Sequence, residues 1–389
     1  MTARKKQILT VKNIRNINME NILQSVLRKG RVMRSDLARE NNISLMTVKH
    51  IVDALIAEGI LLEKESNGTD VGRKPKVLEI AGSYGNILCI NLTSEHEIHF
   101  LVYDIFGELL ENQTIPLAET VPYKEGLMEV LRTVKQIMGK LPMENVGIAV
   151  FVPSVYDEAA DLVNYDLIAG FKNLHMKAIF KEEFGTENIL ILHDVVAAAK
   201  AEYDSPHPQM ESQFYFYCGY GVGGCFIQGE EAVAGTENMA GEVGKMLVSM
   251  DGKEKDCKIV EDVISISAVK KILKDEKTEK TFAELLEAYL RGEEEAKELL
   301  APVLNTVSKV LYNILWVYNP TKIVIDSCES NYSKALVSHF QNFMDVMEDD
   351  AIPIHAQVRQ AKYDEYHSMK GCFHMVRNAW VEKIASSVQ

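Results

Sequence analysis

An aspartate stands where a strand hands over to a helix in "NILILHDVVAAAKAE", residues 188–202. The aliphatic run reads as a buried strand and "VVAAAKAEY" as a helix, so Asp194 has three possible uses. It can take a proton from a substrate hydroxyl, accept hydrogen bonds from a bound ligand, or cap the helix that follows. A second chemical signal is "GYGVGG", residues 219–224, because glycines at this density either bring backbone amides up to a phosphate or permit a tight connection between two strands. The six cysteines (Cys89, Cys218, Cys225, Cys257, Cys328 and Cys372) are scattered and include no CxxC. That pattern indicates neither a disulfide framework nor a thiolate zinc site, and reads as buried free thiols.

The elements that must position these groups fall into two chemically different parts. Over 389 residues the net charge is -14, but residues 1–80 carry 15 Lys+Arg against 9 Asp+Glu, which leaves 27 against 47 for the rest. A basic module attached to an acidic body is expected when one end meets a polyanion. A composition of 47% hydrophobic and 25% charged residues excludes disorder as the main state. No stretch of 18 uncharged apolar residues occurs, and "MTARKKQILTVKNIRN" lacks the apolar centre of a secretory signal, so a soluble, cytoplasmic protein without membrane partners is expected.

In the basic part, "NMENILQSVLRKG" sets Ile22, Val26 and Leu27 on one helical face and stops at Gly30. "RSDLARENNISLMTVKHIVDALIAEG" follows, with Ser35 and Ser44 as expected N-caps of helices over 36–41 and 45–58 joined by a turn at "NNI". That is helix-turn-helix spacing. Val48, Ile51, Val52, Leu55 and Ile56 form an apolar stripe, which leaves Met46, Thr47, Lys49, His50 and Asp53 on the open face, where side chains reach base edges. "ILLEKE" and "KVLEI" then alternate as strands around "SNGTDVGRKP", the hairpin of a winged helix. Arg73, Lys74 and Lys76 at the wing, with Arg34 at the head of the first turn-flanking helix, are cations suited to phosphates or the minor groove. From residue 85 strands and helices alternate in two series, the pattern of two α/β lobes enclosing a cleft. The expected division is 1–82 as DNA-binding domain, 83–195 plus about 367–389 as first lobe, and 196–366 as second lobe.

The reader-domain signature, then "GIAVFVP", "ILHDVVAAAKAE", "CGYGVGG", "AGTENMAGEVGKM" and "NILWVYNPTKIVI" in this order, resemble the ROK family of repressors and sugar kinases. More narrowly they resemble its transcriptional regulators, such as xylose and N-acetylglucosamine repressors. The resemblance spans about residues 18–380 and implies an N-terminal winged helix-turn-helix plus an α/β bilobed, actin-like (ribonuclease-H-like) body, with sugar between the lobes, ATP beside it in the kinases, and usually a structural zinc. The family's sugar-contacting set maps onto His193, Asp194, Glu242, Lys245 and Glu261. Histidine replaces an asparagine at 193 and lysine replaces a histidine at 245, which makes a ligand with phosphate or carboxylate more plausible; equally, Lys245 is placed to pair with Glu242 or Glu261 and leave the site degenerate.

Two departures bear on catalysis. A kinase of this superfamily needs a D-x-G-x-T hairpin to organise Mg²⁺ and phosphates, and here "INLTSEHE" has Asn91 for the acid. Where a glycine pair packs on nucleotide, this chain has "VIDSCES". With Lys245 at a zinc-histidine position and only Cys257 left of the cysteine cluster, no metal and no cofactor are expected. The expectation is therefore a non-enzymatic regulator, a dimer or dimer of dimers on a double-stranded operator, sensing a sugar or sugar phosphate that shifts the angle between lobes. The alternatives are a sugar kinase with an accessory DNA domain and a constitutive DNA-binding protein whose body only dimerises.

Overall fold

The computed structural model describes residues 11–65, 76–81, 85–118, 120–163, 168–203, 211–229, 231–249, 257–276, 278–347, 356–362 and 365–388. The chain forms two compact units, one made of Met1–Pro153, Ala160–Ile191 and Cys372–Gln389, the other of Ser154–Ala159 and Leu192–Gly371. The described residues ahead of 82 thus fall in the same compact unit as the first α/β lobe.

The first unit opens with α1 (Val11–Lys29), α2 (Arg34–Glu40), α3 (Leu45–Ala57), β1 (Leu61–Glu65) and β2 (Lys76–Ile80), the two strands pairing antiparallel from Leu61↔Ile80 to Glu65↔Lys76. This is the order α-α-α-β-β that a winged helix requires. Helix α1 starts earlier than its apolar stripe suggests and ends where Gly30 turns left-handed at φ 71°. Ser44 caps α3 as expected, its Oγ accepting from the Thr47 N–H at 3.0 Å. Ser35 does not cap α2. The backbone of Val32 is held to Leu78 by a reciprocal pair of hydrogen bonds of 3.1 and 2.8 Å, which keeps Met33 extended and starts the helix at Arg34, one residue before Ser35. The wing tip over 66–75, with Arg73 and Lys74, lies outside the described residues.

The physical reason for the merged unit is a shared core. Met19, Ile22, Leu23 and Val26 of α1 and Val48, Val52 and Leu55 of α3 pack in one cluster with Trp380, Val381, Ile384 and Val388 from the end of the chain, and with Ile105 of the lobe. Arg15 donates to the Val388 carbonyl at 2.6 Å, and Gln24 to Asn378 at 2.9 Å. A three-helix head of this size has too little interior to be strongly stable alone, and the C-terminal helix supplies one more apolar face.

The lobe proper contains β3 (Asn86–Asn91), β4 (Glu97–Asp104), β5 (Leu109–Pro116), α4 (Tyr123–Met138), β6 (Asn145–Val152), the short pair β7 (Tyr156–Asp157) and β8 (Leu162–Val163), α5 (Met176–Phe184) and β9 (Ile189–His193). Its sheet has the order β5-β4-β3-β6-β9, with β3 antiparallel to β4 and parallel to β6. The second unit has α6 (Asp194–Glu202), β10 (Ser212–Cys218), β11 (Val222–Gln228), β12 (Glu231–Ala232), β13 (Leu247–Ser249) and β14 (Cys257–Ile259). It continues with α7 (Glu261–Ile264), α8 (Ile266–Asp275), α9 (Phe282–Arg291), α10 (Glu294–Tyr318), β15 (Lys322–Asp326), α11 (Ser330–Met347), β16 (Gln357–Gln360) and the start of α12 (Glu365–Ser387). The order of its main sheet is β12-β11-β10-β15-β16, with β10 antiparallel to β11 and parallel to β15.

Numbered within each unit, both sheets read 3-2-1-4-5 with strand 2 antiparallel. The same layer is therefore built twice, which is the architecture expected of an actin-like body. The central strands β3 and β10 are buried along most of their length, consistent with their continuous apolar runs. Helix α10 is long and apolar enough to cross a membrane by length and composition, but Leu300, Val303, Leu304, Val307 and Leu311 lie in the core of the second unit.

Candidate functional site

Two sites emerge, one in each unit. On α3 the apolar stripe faces the shared core, and the opposite side presents Met46, which is 61% exposed, together with exposed Lys49 and His50. Thr47 is half-buried, and its hydroxyl is engaged with the Ser44 hydroxyl at 2.9 Å, so it belongs to the cap as much as to the open face. Two of the expected phosphate ligands are held by carboxylates. Arg34 Nε donates to Glu63 at 2.9 Å and its Nη1 to Asp53 at 2.7 Å, while Lys76 Nζ donates to the other oxygen of Glu63 at 2.8 Å. The Lys76 hydrogen bond, with Arg34 behind it, holds the Glu63 carboxyl below its ordinary range.

In the second unit, His193 ends β9 and Asp194 is the first residue of α6. The N-cap position belongs to His193, so the reading of Asp194 as N-cap is corrected. Its Oδ1 accepts from the neighbouring Val195 N–H at 2.7 Å and lies 3.2 Å from His193 Nε2. The chain passes from strand to helix without an intervening loop, so the last strand residue, His193, takes the cap position. Helix α6 lies on β11: Val195 shares a buried cluster with Tyr215, Cys225 and Ile227, and a Cβ on Gly223 would come 3.1 Å from its side chain.

At the start of β11, Glu261 opens α7 and one carboxylate oxygen accepts from the Val222 N–H at 3.0 Å. The other takes Lys245 Nζ at 3.2 Å, the pairing expected from the sequence. Glu242 and Lys245 sit on a short loop ending in a single 3-10 turn, Val243–Lys245. Gly241 at φ 100° makes that loop possible, because a Cβ there would lie 2.1 Å from the Gly224 carbonyl oxygen. The Gly241 carbonyl instead accepts from Gly224 N–H at 2.8 Å, which laces the loop to β11. The five residues therefore collect about one strand: a His-Asp pair at the head of the helix against it, and a Glu-Lys-Glu set at its start. Carboxylates there suit hydroxyl donors, and the ammonium suits an anion.

The glycine-rich segment is the β10-β11 hairpin. Gly219 N–H donates to Gly221 O across the turn at 2.9 Å, and the Tyr217 hydroxyl stands 2.4 Å from where a Gly219 Cβ would be. Burial, with Cys328, Asp194 and Asp326 nearby, pushes the Tyr217 phenol far above its usual value. Asp326 ends β15 and accepts from the Tyr215 hydroxyl at 2.5 Å and the Ser327 N–H at 2.8 Å; burial raises its carboxyl above the ordinary range, the Tyr215 hydrogen bond opposing that in part. Tyr215, Tyr217 and Asp326 were not singled out from the sequence, where "VIDSCES" signals only a lost glycine pair. In the first unit, Asn91 Oδ1 accepts from Thr93 N–H at 2.9 Å and so shapes the β3-β4 hairpin. The cysteine-poor segment 250–256 lies outside the described residues, and Cys257 is exposed on β14.

A duplicated 3-2-1-4-5 sheet, preceded in the chain by three helices and a two-stranded pair, defines a class: the actin-like, sugar-kinase-like body carrying an added N-terminal module. The ROK family model matches residues 88–379, and the chain belongs to that family. It is 20% identical over 388 residues to the xylose repressor of Caldicellulosiruptor bescii, covering 93% of this chain and 96% of that one. To the DNA-binding transcriptional dual regulator NagC of Escherichia coli it is 21% identical, over 97% and 96% of the two chains. The crystal structure of a ROK family transcriptional regulator, a homolog of the E. coli MLC protein, shares the fold with a TM-score of 0.75 at 16% identity, over 96% of this chain and 98% of that one. A ROK glucokinase from Streptomyces griseus, solved with glucose and AMPPNP, is matched over 99% of its own length but 75% of this chain, at 17% identity and a TM-score of 0.58.

Proposed function

We propose that the protein is a DNA-binding transcriptional regulator, a repressor of carbohydrate-related genes, whose body binds a sugar or sugar derivative without transferring phosphate. The observation that carries the reading is the head. Capped α3 presents Met46, Lys49 and His50 to solvent from a domain that the family model, beginning at residue 88, does not include. Relatives named as a repressor and as a transcriptional dual regulator are matched over nearly their whole length, whereas the glucokinase leaves a quarter of this chain unaccounted for. In this reading α3 lies in the major groove, Thr47 helps seat its N-terminus, and Arg73, Lys74 and Lys76 of the wing track the flanking backbone. One head per chain reads a half-site, so a palindromic operator needs a dimer or a dimer of dimers.

The effector site is His193, Asp194, Glu242, Lys245 and Glu261. The Lys245–Glu261 pair is half-exposed and opens at little cost, so a ligand anion can take the ammonium while hydroxyls bond the carboxylates. Phosphoryl transfer is disfavoured by three local features: Asn91 in the hairpin, the Tyr217 phenol standing on Gly219, and Asp326 where nucleotide would meet glycines. Asp194 then serves as a ligand hook, since a base has no reaction to assist without a phosphoryl donor.

Selection from a pool of randomised duplex DNA, followed by gel retardation with wild type and Lys49→Ala/His50→Ala, tests the reader; no selected duplex would end that half of the proposal. Thermal shift against neutral, phosphorylated and acidic sugars tests the sensor, and identical melting with every compound would end the other half. The surviving "GYGVGG" hairpin favours a second reading, a sugar kinase with a DNA domain. ATP turnover with the same sugars would establish it.

A further inference from the structure

The open face of α3 carries a residue that should not be there. Asp53 lies three positions after His50 and four after Lys49, on the same side of the helix, and is 50% exposed. A carboxylate facing a phosphate backbone repels it. Every part of its surroundings addresses that defect. Arg34 uses two different edges of its guanidinium for two different elements, Nη1 for Asp53 on α3 at 2.7 Å and Nε for Glu63 on β1 at 2.9 Å. The Arg34 side chain is only 25% exposed, so it is spent on this bridge, not extended to solvent. Glu63 passes the link on to Lys76 at the base of the wing at 2.8 Å. Two cations and two anions thus form a neutral chain running from the reading helix through α2 to both wing strands.

We infer that Arg34 is a positioning residue of the DNA-reading face: it neutralises Asp53 and ties it to Glu63, so that α3 and the wing meet DNA at a set spacing and without a repelling carboxylate. The inference rests on the DNA reading above and deepens it. It differs from the sequence-based expectation, in which Arg34 touches phosphate itself. The forked geometry matters, because a lysine offers a point charge and cannot hold two carboxylates in one plane. Half-exposed ion pairs of this kind contribute little to folding, so their loss is read in binding more than in melting.

The test measures affinity by fluorescence anisotropy, for the duplex that the wild type selects, across a salt series. Arg34→Met is expected to weaken binding by about tenfold, with an unchanged slope of log affinity on log salt. Arg34→Met/Asp53→Asn is expected to recover most of the loss, and Arg34→Lys to fall between Arg34→Met and wild type. Asp53→Asn alone binds as well as wild type or better. The inference is overturned if Arg34→Met binds like wild type. It is also overturned if the double variant stays as weak as Arg34→Met, and a slope lowered by about 0.9 in either variant would mark a lost phosphate contact instead. A loss of affinity in Asp53→Asn overturns it too, because Asp53 would then be reading a base. Should Arg34→Met fail to fold, the Arg34→Lys and Asp53→Asn results decide. Failure of the wild type to select any duplex overturns the DNA reading and this inference together, whereas selection by the wild type with an indifferent Arg34→Met overturns this inference alone.

Discussion

Replacing Trp380 by alanine should loosen the DNA-reading head from the far end of the chain. Trp380 is 6% exposed and packs in one cluster with α1 and α3. An indole burying roughly 200 Å² at about 25 cal/mol per Å² is worth about 5 kcal/mol, and large-to-small core changes at aromatic sites cost about 3–5 kcal/mol. Against a typical unit stability of roughly 5–15 kcal/mol, this is a third or more of the total. Two units need not melt together, so the loss belongs to the first unit's transition only. Calorimetry of the full chain should show that transition lowered on the order of 10 °C, the second unit's unchanged, and faster proteolytic cutting within residues 11–80. Trp316, the chain's other tryptophan, is 45% exposed, and Trp316→Ala serves as the control, with a shift below about 3 °C. If Trp380→Ala melts within about 2 °C of wild type, the shared core does not hold the head, and the argument from packing fails.

Three further outcomes follow from the second unit. Glu202 is 2% exposed and pairs with Arg359 at 2.6 Å, so Arg359→Met strands a buried carboxylate and should cost about 3–5 kcal/mol in urea unfolding of that unit. Gly241→Ala drives a methyl into the Gly224 carbonyl, which should displace the loop bearing Glu242 and Lys245 and abolish any sugar-induced thermal shift while gel retardation persists. Asp326 has its carboxyl raised by burial, so the folded state keeps a proton that the unfolded chain has released. Its contribution to stability is present at low pH and is lost as pH climbs from the ordinary carboxylate range through the raised value. Asp326→Asn, which can still accept from Tyr215, should flatten that segment of the stability profile, matching wild type below it and exceeding it above.

Period and punctuation made much of this legible. The alternation of strands and helices from residue 85 is found as expected, and the cap at Ser44, the stripe from Val48 to Leu55 and the glycine stop at Gly30 all follow from local rules. Ser35 and Asp194 misled, because a cap is assigned by where the backbone leaves the extended region. At Ser35 a β-bridge between Val32 and Leu78, 46 residues apart in sequence, set that point; at Asp194 the absence of a loop did. Among the candidate site residues, Glu261 and Lys245 were legible as a pair; outside that set, Tyr217 and Asp326 were not, since a tyrosine and an aspartate at strand ends carry no spacing signal.

From the order of residues alone come the charge division between head and body, the capped helix α3 with its open face, and the departures from the kinase pattern at Asn91 and "VIDSCES", because each depends on residue types close together along the chain. Tertiary structure alone decided that the last helix completes the core of the first eighty residues, that Gly241 seats its loop on β11, and that Arg34 is engaged by Asp53 and Glu63. These are contacts between distant segments, and a side chain's partner is set by what folding brings beside it.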